Sequence, residues 1–403
     1  MTPPRRRAAA ACAALAMIGA AAAADDAALA RCLSALQPAA QAAGVARATW
    51  TLHTAGLTRE PVVLERLAHQ PEFRLTIWDY LAGLVDDERI ADGRARLAEH
   101  AALLAEIERR HGVDPAVVVA IWGVETDFGR SLGRFPLVQA LATLSCEGRR
   151  QPFFRRELFA TLRIVQAGDM PVEQLVGSWA GAFGQTQFMP TTFERLAVDF
   201  DGDGRRDLVG NLGDALASTA HFLRRAGWRA GEPWGFEVRL PPGFELRGTG
   251  RQQRQPLQHW AQRGLRLADG TPLTAAGLPP ATAAGLIAPA GAGGPVFLVL
   301  RNFDALFGYN PAESYALAIA HLADRLRGGG PFVQPWPTDD PGLSRAERRE
   351  LQTLLIARGH DIGAVDGMLG PRSRAAIRVE QQRLSHADDG RAGLRLLDAL
   401  RER

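Results

Sequence analysis

The sequence predicts a mainly α chain of the α+β class, with a small β-containing subdomain and a separate helical unit at its end. Three observations carry that reading. From Asp26 to about Arg110, Leu, Ala and Trp recur at three- and four-residue spacing, the period of helices that bury one face. Between about Gly235 and Leu300 the texture changes to short apolar runs, Glu237–Leu240 and Val296–Leu300, set among Gly- and Pro-rich turns, which reads as strands. After Gly328-Gly329-Gly330 the prolines at 331, 335, 337 and 341 make a linker, because that composition resists regular structure. The expected division is therefore residues 25–330, a linker over 331–342, and a helical unit over 343–403.

The N-terminal residues 1–24 precede all of this. Arg5-Arg6-Arg7, a small-residue apolar run and then Asp25-Asp26 match a secretory signal peptide cleaved after Ala24. The run is too short and too alanine-rich to span a bilayer in the mature chain, and Cys12 lies too early for a lipoprotein anchor. The expectation is an exported, periplasmic protein. With 47 basic and 44 acidic residues the formal charge is +3. The signal takes three arginines and no acid, so the mature value is +3 − 3 = 0, which argues against a nucleic-acid partner. Every basic residue other than histidine is arginine, so no mechanism can use a lysine nucleophile. Cys32 and Cys146 remain after cleavage, either as a disulfide or as free buried thiols; their spacing gives no geometry.

Asp114-Pro115 reads as a helix start, an acidic N-cap followed by proline at the first helical position. The helix is expected over Ala116–Phe128, stopped by Gly129. Further helices are expected at about 153–168, 171–180, 213–226 and from Pro311 to Leu326. Beyond the linker, Asp366-Gly367-x-x-Gly370 is echoed by Asp389-Gly390-x-x-Gly393, a weak half-repeat in which each turn leads into an apolar helical run.

The segment Ile121-Trp122-Gly123-Val124-Glu125-Thr126-Asp127 carries the sharpest chemistry. On a helix Glu125 shares a face with Ile121, Trp122 and Val118. A carboxyl on an apolar stripe is disfavoured as an anion, so its pKa rises and it can donate a proton near neutral pH. The plainer reading is an edge glutamate paired with one of the many arginines. A second segment, Gly177-Ser178-Trp179-Ala180-Gly181-Ala182-Phe183-Gly184-Gln185-Thr186-Gln187-Phe188-Met189-Pro190, combines glycines, aromatics and amides. Such a wall lets backbone approach a sugar closely and offers groups for its hydroxyls. A third, Tyr309-Asn310 followed by Ser314-Tyr315, places phenol and amide groups at a helix start; for either segment alone, a tight turn beside packed aromatics is the plainer reading. A fourth, Asp199-Phe200-Asp201-Gly202-Asp203-Gly204-Arg205-Arg206-Asp207, fits an EF-hand-type calcium loop except that Gly210 stands where the closing glutamate belongs. An acidic turn neutralised by Arg205 and Arg206 is the plainer reading.

Together and in this order, the Trp122-Gly123-Val124-Glu125 setting, the 181–190 stretch and Tyr309-Asn310 resemble the B-type lytic murein transglycosylases. The resemblance covers about residues 28–325 and implies a lysozyme-like α domain. It makes Glu125 the catalytic acid/base, and Ser178, Gln187, Phe188, Met189, Tyr309, Asn310 and Tyr315 the lining of a groove for peptidoglycan glycan strands. One local departure is Ser314 where the family can carry a second tyrosine. By the same resemblance Asp214 closes a structural Ca²⁺ site with Asp199, Asp201, Asp203, the Arg205 carbonyl and Asp207. The chain after the linker resembles the three-helix peptidoglycan-binding domain through Leu351-Gln352, Gly359, Asp366-Gly367, Gly370 and Ser373, with Glu380 in place of the usual aromatic.

The implied reaction needs no cofactor. Protonated Glu125 donates to the oxygen joining N-acetylmuramic acid to N-acetylglucosamine. The same carboxylate then takes the proton of the muramic 6-hydroxyl as that oxygen attacks the anomeric carbon, leaving a 1,6-anhydro end. A hydrolytic muramidase would instead need a second carboxylate about 5–9.5 Å away, for which Asp114 and Glu147 are candidates and Asp127, two residues on, points elsewhere. A non-catalytic wall-binding scaffold is the remaining alternative. The protein is expected to act as a monomer.

Overall fold

The computed structural model describes residues 6–68 and 75–402, and the side chains of the first helix from residue 24 onward. Residues 1–5 of the expected signal peptide, residues 1–24, thus lie outside what is described, as do the side chains of residues 6–23. Two compact units divide the chain, one of residues 1–71 and 129–219, the other of 72–128 and 220–403. No helix among the described residues is long and apolar enough to cross a membrane.

The chain enters the first unit with α1 (Arg6–Ala42), α2 (Arg47–Thr54) and α3 (Pro61–Ala68). It then supplies the second unit with α4 (Ile77–Leu84), α5 (Asp87–Glu99), α6 (Ala101–His111) and α7 (Pro115–Thr126). Helix α7 starts as expected: the Asp114 carboxylate accepts from Ala116 N at 2.7 Å, with proline at the first position. It ends two residues early. Asp127 and Phe128 adopt left-handed φ values of 52° and 58°, and the Phe128 ring folds back edge-on against Trp122. Gly123 makes room for that ring, since a Cβ there would meet its carbons at 2.6–2.7 Å.

The first unit resumes with β1 (Phe135–Pro136), α8 (Leu137–Cys146), α9 (Gln151–Ala167), β2 (Val176–Gly177) and α10 (Pro190–Leu196). The helix expected at 171–180 is absent: a single 3₁₀ turn at Val172–Gln174 precedes β2, which pairs antiparallel with β1. Gly177 and Gly181 break helical periodicity there, and a Cβ at Gly177 would meet the Ala182 carbonyl at 2.1 Å. Cys32 on α1 and Cys146 on α8 form a disulfide. The boundary between units falls inside α11 (Leu212–Arg225).

The rest belongs to the second unit. Strands β3 (Gly235–Arg239), β4 (Gly250–Pro256), β5 (Arg266–Leu267), β6 (Ala283–Ile287) and β7 (Val296–Val299) form an antiparallel sheet in the order β4-β6-β7-β3-β5, with α12 (Leu257–Gln262) between β4 and β5. Only β3 and β7 are apolar enough to be read from sequence; β4 is Gly-Arg-Gln-Gln-Arg-Gln-Pro and β6 opens Ala-Ala-Gly. All four residues of β7 are buried, as befits an unbroken apolar run in a central strand. Trp260, Leu273, Leu286 and Leu298 anchor the core of this part.

Helix α13 (Arg301–Tyr309) leads into α14 (Glu313–Leu326), which packs along α7. After the linker, α15 (Arg345–Ala357), α16 (Pro371–Arg383) and α17 (Leu394–Arg401) surround Leu351, Leu355, Ile377, Leu397 and Leu400. Ser344 and Glu347 form a capping box at the start of α15. The half-repeat has a physical basis. Buried Gln352 donates to Asp366 and accepts from Gly367 N, and buried Gln381 does the same with Asp389 and Gly390 N. Each Asp-Gly turn is thus held by a glutamine from the helix before it. Glu380 is buried and serves the fold, hydrogen-bonded with His360 and ion-paired with Arg383.

Candidate active site

Glu125 lies in the last turn of α7. Tyr315, in the first turn of α14 and 2% exposed, donates its phenol hydroxyl to Glu125 Oε1 at 2.5 Å. Burial pushes the Glu125 carboxyl up to about 7, and the Tyr315 hydrogen bond only partly opposes that rise. The same enclosure, together with the Glu125 charge, holds the Tyr315 phenol well above its ordinary pKa, so it stays a donor. Tyr309 stacks parallel to Tyr315 at 6.4 Å between centroids, with Phe222 edge-on against it at 4.7 Å.

A cavity of about 260 Å³ opens beside this pair, lined by Leu75, Asp79, Tyr80, Val124, Asn310 and Arg348 as well as Glu125 and Tyr315. Among the described residues, Glu125 Oε2 accepts no hydrogen bond. Asp79 is the other carboxylate lining this space, and Arg391 grips both its oxygens at 2.8 Å. A carboxylate so held is neutralised and poorly placed to act as a base.

The other acids singled out in the sequence are committed too. Asp127, beyond the helix end, is ion-paired with Arg345 and lies 3.8 Å from Arg89. Asp114 caps the opposite end of α7, about 16 Å from Glu125 by helical rise, and binds Arg327 at 2.6 Å. Glu147, in the other unit, takes both its hydrogen bonds from Arg59, at 2.8 and 3.0 Å.

The 177–190 segment lies in the first unit. Its backbone is knotted into a compact turn: Ser178 N bonds Ala182 O at 2.7 Å, Ser178 Oγ accepts from Ala182 N, and Phe183 and Phe188 exchange two hydrogen bonds at 2.9 Å. Gln187 takes a left-handed φ of 53° and donates to the carbonyls of Gly184 and Leu132. Phe188 is buried, while Ser178, Gln187 and Met189 are partly exposed. Asn310 is exposed at the end of α13.

In the acidic loop, carboxylate oxygens of Asp199, Asp201 and Asp203 lie within 4.8 Å of one another, all on exposed residues. Asp214 is buried beneath and accepts from Phe200 N and Asp207 N, each at 2.8 Å. Asp207 in turn accepts from Val209 N and Gly210 N. Arg206 is engaged outside the loop, with both its bonds going to Asp169, so it does not neutralise the three converging acids.

Sequence reasoning missed the contribution of α4 and of Arg348. Thr76-Ile77-Trp78-Asp79-Tyr80, an N-cap before an aromatic–acid–aromatic run, was a usable signal for the first. Nothing local marks Arg348 among its neighbouring arginines.

Comparison with known proteins bears on this arrangement. Residues 28–324 match the family model described as "Transglycosylase SLT domain", and residues 344–400 match "Putative peptidoglycan binding domain". The chain is 48% identical to SltB3 of Pseudomonas aeruginosa, whose structure was solved in complex with NAG-anhNAM-pentapeptide. That match covers 92% of this chain and 98% of the other, with a TM-score of 0.73. It is 29% identical to the Escherichia coli lytic transglycosylase Slt35 in complex with calcium, over 68% of this chain and 84% of the other, with a TM-score of 0.58. Membrane-bound lytic murein transglycosylase B of Escherichia coli is 33% identical over 229 residues, 54% of this chain and 58% of that relative's length.

Proposed function

We propose, given that this chain belongs to the transglycosylase SLT domain family, that it cleaves the bond between N-acetylmuramic acid and N-acetylglucosamine in peptidoglycan without consuming water, leaving 1,6-anhydro ends. The observation that carries this reading is the state of Glu125: a cavity-lining carboxyl whose pKa burial pushes up to about 7, with one oxygen bonded by Tyr315 and no hydrogen bond to the other among the described residues. A group poised there can donate a proton to the glycosidic oxygen and take one back in the next step. Transfer of the muramic 6-hydroxyl proton to Glu125 as its oxygen closes on the anomeric carbon balances the reaction and restores the acid. The nearby carboxylates are engaged by arginines or lie at the far end of α7, which favours this route over hydrolysis with a second acid.

Mass spectrometry of muropeptides released from purified sacculi tests the proposal. Anhydro products from the mature protein, lost in Glu125→Gln, are expected. Reducing ends one water heavier would make the enzyme a muramidase, and wall binding without release would make it a scaffold.

Ser178, Gln187, Phe188, Met189, Tyr309, Asn310 and Tyr315 are proposed to line the strand-binding groove. The aromatic pair Tyr309–Tyr315 and the exposed Asn310 amide support this for their part of it. The 199–214 loop is proposed to hold a structural Ca²⁺, supported by three converging carboxylates with which no arginine side chain of the loop pairs; Arg205 meets Asp203 only through its backbone N–H. Asp199, Asp201, Asp203, Asp207 and Asp214 with the Arg205 carbonyl would be its ligands; the ion would brace the loop and take no part in the chemistry. Chelation should lower the melting temperature of the wild type and leave Asp201→Ala unmoved; no shift in either would remove the ion from the account. Export to the periplasm through residues 1–24, and action there as a monomer, complete the reading. N-terminal sequencing of the periplasmic protein should begin at Asp25.

A further inference from the structure

One wall of the cavity beside Glu125 comes from outside the 28–324 segment: Arg348, on α15, lines it together with Glu125, Tyr315 and Asn310. Its guanidinium lies flat on Gly83 of α4, where a Cβ would meet its atoms at 2.3–2.6 Å. Only a glycine permits that seat. Arg348 Nη2 donates to the Asp79 carbonyl at a long 3.3 Å, and its buried Nε meets no acceptor among the described residues. The carboxylates whose charges act on it, Asp79 and Asp86, are already taken. Arg391 holds both oxygens of Asp79, and Arg345 and Arg89 N hold Asp86. A half-buried guanidinium with so little compensation is costly to keep, and burial pulls its pKa below the ordinary arginine value.

We propose that Arg348 is an anion-recognition residue of the catalytic cavity, seated there by the C-terminal helical unit to take a carboxylate that the glycan carries at a muramic acid residue. The proposal rests on the transglycosylase reading. Its chemistry follows from the substrate: sugar rings with hydroxyl and acetamido groups are neutral, so negative charge on such a strand comes from the lactyl group or the stem peptide. A planar, permanently charged fork matches a carboxylate and has no equal use against a hydroxyl. Asp79 also lines the cavity, but its charge is balanced by Arg391. The seat is firm, because Arg391 and Arg345 bind Asp79 and Asp86 on either side of it and Arg349 pairs with Glu88. Burial and Tyr315 set the Glu125 carboxyl, with no contribution from Arg348. Its role is therefore in binding and not in proton transfer.

The test uses full-length protein carrying Glu125→Gln, so that binding is read without turnover. Three soluble N-acetylglucosaminyl-N-acetylmuramic acid probes are titrated calorimetrically: one bearing the stem peptide, one with the free lactyl carboxylate, and one with that carboxylate as a neutral methyl ester. Adding Arg348→Met should weaken an anionic probe about tenfold and leave the ester unchanged, with Arg348→Lys recovering part of the loss. Loss confined to the peptide probe assigns a stem carboxylate, and loss confined to the acid assigns the lactyl group. Equal weakening of all three probes, or of none, overturns the proposal. In otherwise wild-type protein, Arg348→Met should raise KM while kcat and its pH profile hold. Failure of the transglycosylase reading would show separately, as absent anhydro products from the wild type in that assay.

Discussion

Two glutamates in this protein are built alike and end differently. Glu125 on α7 and Glu157 on α9 both sit on helices rich in apolar residues, and burial raises the pKa of each. Glu157 accepts from Thr191 N at 2.9 Å and Thr191 Oγ at 2.8 Å, one donor for each oxygen, at the start of α10. It is a clamp between two elements of the first unit. Glu125 takes one hydrogen bond, from Tyr315, and lines a cavity. Burial alone therefore does not mark an acid catalyst; an oxygen left without a donor, on a residue that lines space a substrate can enter, is what separates the two.

The largest test of that contrast is activity. Glu125→Gln should lower kcat by about a thousandfold, whereas Glu157→Gln should leave the turnover of folded protein near wild type. Steady-state kinetics on soluble glycan strands would decide it, and comparable losses in both would end the distinction.

Stability should run the opposite way. A carboxyl whose folded pKa lies near 7, above its ordinary 4.5, favours the folded state only while protonated. Its ionisation destabilises progressively as pH rises from about 4.5 through 7. Glu125→Gln should therefore stabilise by roughly 3 kcal/mol at pH 8 and hardly at all at pH 4. Glu157→Gln should change stability little at pH 4, because the amide oxygen still accepts from Thr191 N and its NH2 can donate to Thr191 Oγ. It should gain in the same direction as pH rises, since burial raises Glu157 too. Denaturant midpoints at both pH values test both claims.

A smaller effect sharpens the role of Tyr315. Its hydrogen bond lowers the Glu125 pKa against the pull of burial, so Tyr315→Phe should move the alkaline limb of kcat to higher pH. The rate at low pH should fall less than in Glu125→Gln. A limb that stays in place would mean the hydroxyl does not reach the acid in solution.

Much of this was legible in one dimension. The Asp114-Pro115 start of α7, the apolar face carrying Glu125 and the Gly-Pro linker depend on local backbone preference and periodicity, which sequence displays directly. So did the Asp-Gly half-repeat, though not the reason for it. Strands β4 and β6 escaped because their residues follow what they pair with and not an intrinsic β preference. The 171–180 segment misled because its helical spacing was overridden by glycines that a close backbone contact requires.

Local sequence thus placed one carboxyl on one apolar helix, where burial would keep it from ionising unless an arginine reached it. Tertiary structure alone decided that Tyr315, 190 residues away, would be its donor. It also decided that Asp127, Asp114 and Glu147 would be spoken for by arginines, and that Arg348 would reach the cavity over Gly83. The reason is physical: helical spacing is written in neighbouring residues, whereas charge pairing and vacancy depend on which distant side chains the fold brings within about 3 Å of one another.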